Sequence, residues 1–167
     1  CAKESAMRFL STFAAVLLGT ALAAPTCLAA ALETHRIPAA LAVEAASEAV
    51  AACAKQSYRE TAVVLDADGA IIAVMRGDGA GIHTIDSAHD KAYTAASFGR
   101  DTIALAERKS EIGDLMKLPH LMFFGGGVTI KIGNEVVGGI GASGAPGAKL
   151  DDACAHAGLA KIQDRLK

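Results

Sequence analysis

Five histidines, His35, His83, His89, His120 and His156, are the side chains best suited to hold a metal or move a proton near neutral pH. Their spacing forms no local metal motif. His83 and His89 are six residues apart, so on an α-helix at 100° per residue they point in different directions. No H-x-x-x-H pair occurs. His83 follows the loop Arg76-Gly77-Asp78-Gly79-Ala80-Gly81 and precedes a helical pattern, a position from which a side chain can face a cleft. His120 follows Pro119 in a loop, and His156 lies near Cys154 on the last helical stretch. A cluster of these rings can form only in three dimensions, and taken singly each reads as a surface or satisfied histidine. Arg76 and Lys91 flank the same loop as His83 and would hold an acid group by charge-assisted hydrogen bonds, although each alone reads as a solvated charge.

Other chemistries find less support. Ser143 sits in Gly141-Ala142-Ser143-Gly144, which is not G-x-S-x-G, and no helix follows it directly. Asp66, Asp68, Asp78, Asp86, Asp151 and Asp152 stand where turns and helix caps explain them. Gly139-Ile140-Gly141-Ala142-Ser143-Gly144 matches the dinucleotide fingerprint G-x-G-x-x-G, but no helix opens directly after it and no second parallel strand follows. With no acid–base pair identifiable, no catalytic residue is assigned, and an enzyme is the less favoured reading.

The elements that must position these residues centre on Gly125–Gly147. Val128–Ile132 and Val136–Ile140 flank Gly133-Asn134, a pair suited to a tight β-hairpin. Gly126 and Gly127 at its entry are candidate pocket-edge positions, where a ligand or another backbone comes close. Before it, a helix is predicted from Pro38 to Gln56, with Leu41, Ala45, Ala49 and Cys53 on its apolar stripe. Thr61–Leu65 and Ile71–Met75 form a hairpin across Asp66-Ala67-Asp68-Gly69. A small-residue helix capped by Thr84 or Asp86 runs to Phe98, a shorter one covers Thr102–Lys109, and Leu121–Phe124 is a short strand. An amphipathic helix, Leu150–Leu166, closes the chain with Ala153, Ala157, Leu159, Ala160 and Ile162 as its apolar positions. The order α-β-β-α-α-β-β-β-α predicts an α+β fold: an antiparallel sheet of about five strands flanked by helices.

The chain has 167 residues, and its N-terminal part reads as a leader. Residues 1–6 are an upstream extension. Met7-Arg8, the uncharged apolar run Phe9–Ala24 and the small residues up to Ala31 make a secretory signal peptide, residues 7–30, with cleavage near Ala29–Ala31. The run is short for a membrane span and no basic cluster follows it, so no span is expected after removal. The domain is then 31–167, in a periplasmic or secreted setting. It keeps 14 basic and 17 acidic residues, a net charge of −3 with no basic stripe, which argues against a nucleic-acid partner. Cys53 and Cys154 remain; in an oxidising compartment they either pair or stay two buried thiols. The absence of C-x-x-C-H excludes covalent c-type haem attachment.

Several segments together resemble one family, the GlcG/HbpS-like proteins, which include the PduO C-terminal domain. They are the hairpin Val63–Met75, the loop Arg76–Gly81, Asp86-Ser87-Ala88 with Lys91-Ala92-Tyr93-Thr94-Ala95-Ala96, Gly125-Gly126-Gly127, Val137–Gly147, and Asp151-Asp152 with Ala157-Gly158-Leu159. The resemblance runs from about Glu33 to the end. It implies an α+β fold, homo-oligomeric assembly and non-covalent haem binding, in haem carriage, storage or sensing. On this reading His83 is the expected iron ligand, with His89 or His120 behind it, and Arg76 and Lys91 contact propionates. The alternative is a domain that binds or metabolises a 2-hydroxy acid or other carboxylate beside Gly139–Gly144 and Lys91.

Overall fold

A computed structural model describes residues 33–167; the expected extension and signal peptide lie outside the described residues. Helix α1 (Ala39–Ala54) follows Pro38, and the hairpin β1 (Thr61–Asp66) and β2 (Ile71–Arg76) comes next. Asp66 Oδ1 accepts the amides of Asp68 and Ala70, and Gly69 takes φ 81°, so this turn is built by an Asp side chain and a glycine. Then come α2 (Thr84–Phe98), α3 (Thr102–Ala106), α4 (Lys109–Ile112) and a 3₁₀ turn, Gly113–Lys117. The hairpin β3 (Gly127–Ile132) and β4 (Glu135–Ser143) turns at Gly133-Asn134 as expected, and α5 (Ala148–Ile162) ends in a 3₁₀ turn at Gln163–Arg165. No helix among the described residues is long and apolar enough to cross a membrane.

The fold is α+β with one antiparallel sheet, ordered β2-β1-β4-β3. It has four strands rather than five. Leu121–Phe124 lies outside the ladder, because its backbone finds a helix instead: Met122 N donates to Thr94 Oγ1 on α2 at 2.7 Å. The capping expectations also shift. His83 occupies the N-cap of α2 without a side-chain bond, while Thr84 Oγ1 donates to Gly81 O and accepts from Thr61 Oγ1, both at 2.6 Å.

The register divides the sheet into two faces. Ala62, Val64, Val128, Ile130, Ile140 and Ala142 face α1 and α5. Val63 and Leu65 face Ala88 and Ala92 of α2. On α1 the buried stripe is Ala42, Ala45, Ala46, Ala49 and Cys53, with Leu41 only partly covered. On α5 the expected stripe is rotated: Asp151, Cys154, Ala155, Gly158 and Ile162 are buried, and Ala153 and Ala160 are exposed. Gly158 explains the rotation, since a Cβ there would lie 2.5 Å from Ala45 O of α1. Cys53 and Cys154 are joined in a disulfide that ties the same two helices across 101 residues of sequence.

On the opposite face the approach is closer. A Cβ at Gly127, Gly139 or Gly141 would collide with the carbonyl oxygen of Lys91, Ala92 or Ala88 respectively. Backbone therefore lies directly on backbone along α2. Lys91, on the same stripe as Ala88, Ala92 and Ala95, is 4% exposed. Its Nζ donates to Asp151 Oδ2 at 2.6 Å and to Ala142 O at 3.0 Å, and Asp151 Oδ1 accepts the Ala145 amide at 2.9 Å. One ion pair thus joins α2, β4 and α5. Beside it Glu60 is 0% exposed, and neither carboxyl oxygen has a hydrogen-bond partner among the described residues. Burial first, and the Asp151 charge second, raise the Glu60 carboxyl from 4.5 to about 8. Burial also raises Asp152.

Two predictions follow from these ties. Replacing Cys53 and Cys154 together by alanine should cost about 2–5 kcal/mol, since the disulfide closes a long loop in the unfolded chain; urea unfolding showing a loss well below that range would contradict the structural role. Glu60 binds its proton more tightly folded than unfolded. Its contribution is therefore fully present below pH 4.5 and is lost as pH rises to about 8, at up to about 1.4 kcal/mol per pH unit. The urea midpoint should fall over that window, and Glu60→Gln, which mimics the neutral form, should flatten the fall; parallel profiles would refute the assignment.

Candidate functional site

The site is built between α2 and the edge strand β2. Arg76, Val74 and Ile71 pair across from Thr61, Val63 and Leu65, so they lie on the face that α2 covers elsewhere. Helix α2 does not reach this edge, and Ile71 stays 57% exposed. From α2, Ile85 and His89, one turn apart, project to the same side. A groove of about 450 Å³ results, lined by Ile71, Ile85, Asp86, His89, Asp90 and His120. Its size falls within the roughly 300–1,000 Å³ usual for ligand sites, and its lining sets the two isoleucines against four polar residues, Asp86, His89, Asp90 and His120.

Two imidazoles meet there on one carboxylate. His89 Nδ1 and His120 Nδ1 lie 3.0 and 3.3 Å from Asp90 Oδ1. The ring centroids are 5.9 Å apart and nearly perpendicular, and Tyr93 stacks on His89 at 6.1 Å. A carboxylate only accepts, so both rings donate from Nδ1, and in a neutral imidazole that leaves Nε2 as the lone-pair donor. Among the described residues, His89, Asp90 and His120 form the cluster of ligand atoms close enough to share a metal, all within 4.8 Å of one another. His120 takes φ 63°, a left-handed conformation uncommon for a non-glycine residue. The loop holds it there by the Asp90 contact and by Met122 N on Thr94 Oγ1, whose hydroxyl also donates to Asp90 O at 2.7 Å.

The remaining expected residues fall elsewhere. His83 is exposed at the start of α2, its ring folded over Gly81, and it does not line the groove. Arg76 is exposed at the far end of the β2 edge, with Nη2 donating to Ala80 O. Lys91, expected as a contact for an acid group, is instead buried on Asp151. Gly126 and Gly127 are buried where the loop passes Lys91 and Thr102: a Cβ on Gly126 would lie 3.0 Å from Lys91 Nζ, and Gly127 N donates to Thr102 Oγ1 at 2.8 Å. Gly139 and Gly141 are covered by α2, which fills the space the carboxylate alternative requires. His35 pairs with Glu135 at 2.6 Å beside a smaller cavity of about 150 Å³, and His156 lies 3.4 and 3.5 Å from Asp101 and Asp152. Sequence reasoning missed Asp90, Tyr93 and Glu60. Asp90 was signalled only by its place directly after His89.

The groove brings two isoleucine side chains and two imidazoles, common metal ligands, to one place. Comparison with known proteins bears on that arrangement. The family model described as "Haem degrading protein HbpS-like" matches residues 37–160. A crystal structure of a double mutant of HbpS from Streptomyces reticuli is 35% identical, with a TM-score of 0.75, covering 78% of this chain and 89% of that one. The Klebsiella pneumoniae protein ORFY is 21% identical with a TM-score of 0.75, over 80% of this chain and 94% of that one. A PduOC complex with haem is 21% identical with a TM-score of 0.70, over 76% and 95%. At that identity the last two show the fold alone. No curated protein matches the sequence. With the family pattern running through residues 37–160 and HbpS 35% identical over most of both chains, this chain belongs to the HbpS-like family.

Proposed function

We propose that this protein binds haem non-covalently in the groove between α2 and β2, for haem carriage, storage or sensing, with His89 Nε2 as the iron ligand. The observation that carries the reading is the juxtaposition of His89 and His120, oriented by Asp90, with the exposed apolar walls of Ile71 and Ile85. Bound haem supplies a redox-active iron; the chain supplies the donor, the apolar slot and a cation. Arg76, at the far end of the same strand face, is the residue for a propionate. This ordering puts His89 ahead of His83, because His83 makes no side-chain bond at its cap position and does not line the groove. His120 is the reserve ligand.

Membership of a family described as haem-degrading, and the haem complex of a protein of the same fold, support haem as the ligand. The buried disulfide and the signal-peptide pattern support an exported, oxidising setting. Exposed Leu115, Met116 and Leu118 on the segment after α4 support homo-oligomeric assembly.

Titration of residues 31–167 with haemin should give a saturable Soret shift near one haem per chain. His89→Ala should abolish it or move it to that of a weak complex, whereas His83→Ala should leave it unchanged. An unchanged titration of His89→Ala would overturn the ligand assignment, and no saturable shift in the wild type would overturn the haem reading.

A further inference from the structure

We propose that Asp90 is the positioning residue of the iron ligand: through one carboxylate oxygen it fixes the His89 ring, aims Nε2 into the groove and strengthens it as a donor, while His120 competes for the same oxygen. The inference rests on the haem reading above.

The geometry departs from that of a surface ion pair in three ways. First, the contact is shared. Oδ1 of Asp90 faces Nδ1 of His89 at 3.0 Å and Nδ1 of His120 at 3.3 Å, so one acceptor sets the tautomer of both rings. Second, the arrangement is held from behind. Asp90 and His89 are both about three-quarters buried, with side-chain exposures of 23% and 24%. Thr94 Oγ1 donates to the Asp90 carbonyl and accepts the Met122 amide, so the loop bearing His120 is pinned to the turn of α2 that bears Asp90. Tyr93 lies against both rings, its centroid 6.1 Å from that of His89 and 6.3 Å from that of His120. Third, the chain accepts a left-handed backbone at His120 to bring that ring onto Asp90. Non-glycine residues held in this sparsely populated backbone region gather at functional sites.

A histidine that ligates a metal and donates its other N–H to a carboxylate is a stronger and better-aimed ligand. Because the two rings share one oxygen, the strength of the Asp90–His89 contact depends on His120. Removing His120 leaves the whole acceptor to His89. Removing the charge of Asp90 leaves His89 as a weaker, less constrained donor. The two changes therefore move the iron in opposite directions. A role confined to packing predicts no such opposition.

The test uses the haemin-loaded protein and two readouts, the rate of haem transfer to an excess of an apo-globin acceptor and the ferric/ferrous midpoint potential. Asp90→Asn keeps the size and an acceptor oxygen but not the charge; it should release haem about 10–100-fold faster and raise the potential. Asp90→Ala should do so at least as strongly, and Asp90→Glu should recover part of both. His120→Ala should lower the potential. Wild-type release and potential in both Asp90→Asn and Asp90→Ala would overturn the assignment while leaving the haem reading intact, provided His89→Ala still loses haem. A His120→Ala shift in the same direction as Asp90→Asn would overturn it too. If the wild type takes up no haem, both readings fall together.

Discussion

Gly127, Gly139 and Gly141 allow the backbone of α2 to lie on the backbone of β3 and β4, and the placement of the candidate site depends on that contact. Any side chain at these positions would push the helix away from the sheet. Held this close, α2 turns Ala88, Lys91, Ala92 and Ala95 inward. The intervening positions Ile85, His89 and Asp90 then open onto the uncovered edge at β2. The helix is too narrow to cover all four strands, so Ile71 and Val74 stay exposed beside it. The same packing that makes the core on one side leaves a groove of mixed character on the other.

The buried charges show what fixes the helix along its length. Glycine and alanine surfaces are smooth and specify sliding poorly. Lys91 ends that freedom, because its ammonium must meet Asp151 and the Ala142 carbonyl or stay desolvated and unpaired. Two carboxyls and one ammonium leave the cluster a proton short of neutrality, and burial beside Asp151 favours that proton on Glu60. Asp151 also receives the Ala145 amide at the entry to α5, while the disulfide fastens α5 to α1. The three layers are thereby joined by one ion pair and one covalent link, in a domain whose largest fully buried side chains are only Leu and Ile.

Much of this was legible in the sequence where local chemistry decides. Gly133-Asn134 and Asp66–Gly69 announced their turns, three of the four hairpin strands lie within a residue of expectation while β4 runs three residues further, to Ser143, and the α+β class followed from their pairing. Leu121–Phe124 misled because its apolar content suits a strand, and nothing local reveals that Thr94 takes its amide. The stripe of α5 misled because Asp151 and Gly158 lie on the buried side, where a count of apolar residues finds no signal. Lys91 was readable in retrospect: it shares the helical face of three alanines that pack on the sheet. The site was half legible. His89 and His120 stood among the candidates, but 31 positions separate them in sequence and only the path of the loop brings them onto Asp90.

The position of iron in the haemin-loaded protein decides whether the groove is the site. Crystals of the haemin-loaded protein, with anomalous diffraction collected at the iron edge, locate it without reference to the spectra. A single iron peak bonded to His89 Nε2 is expected, with the porphyrin between Ile71 and Ile85 and Asp90 still on His89 Nδ1. An iron peak at His83, or at the His35–Glu135 pair, would contradict that placement.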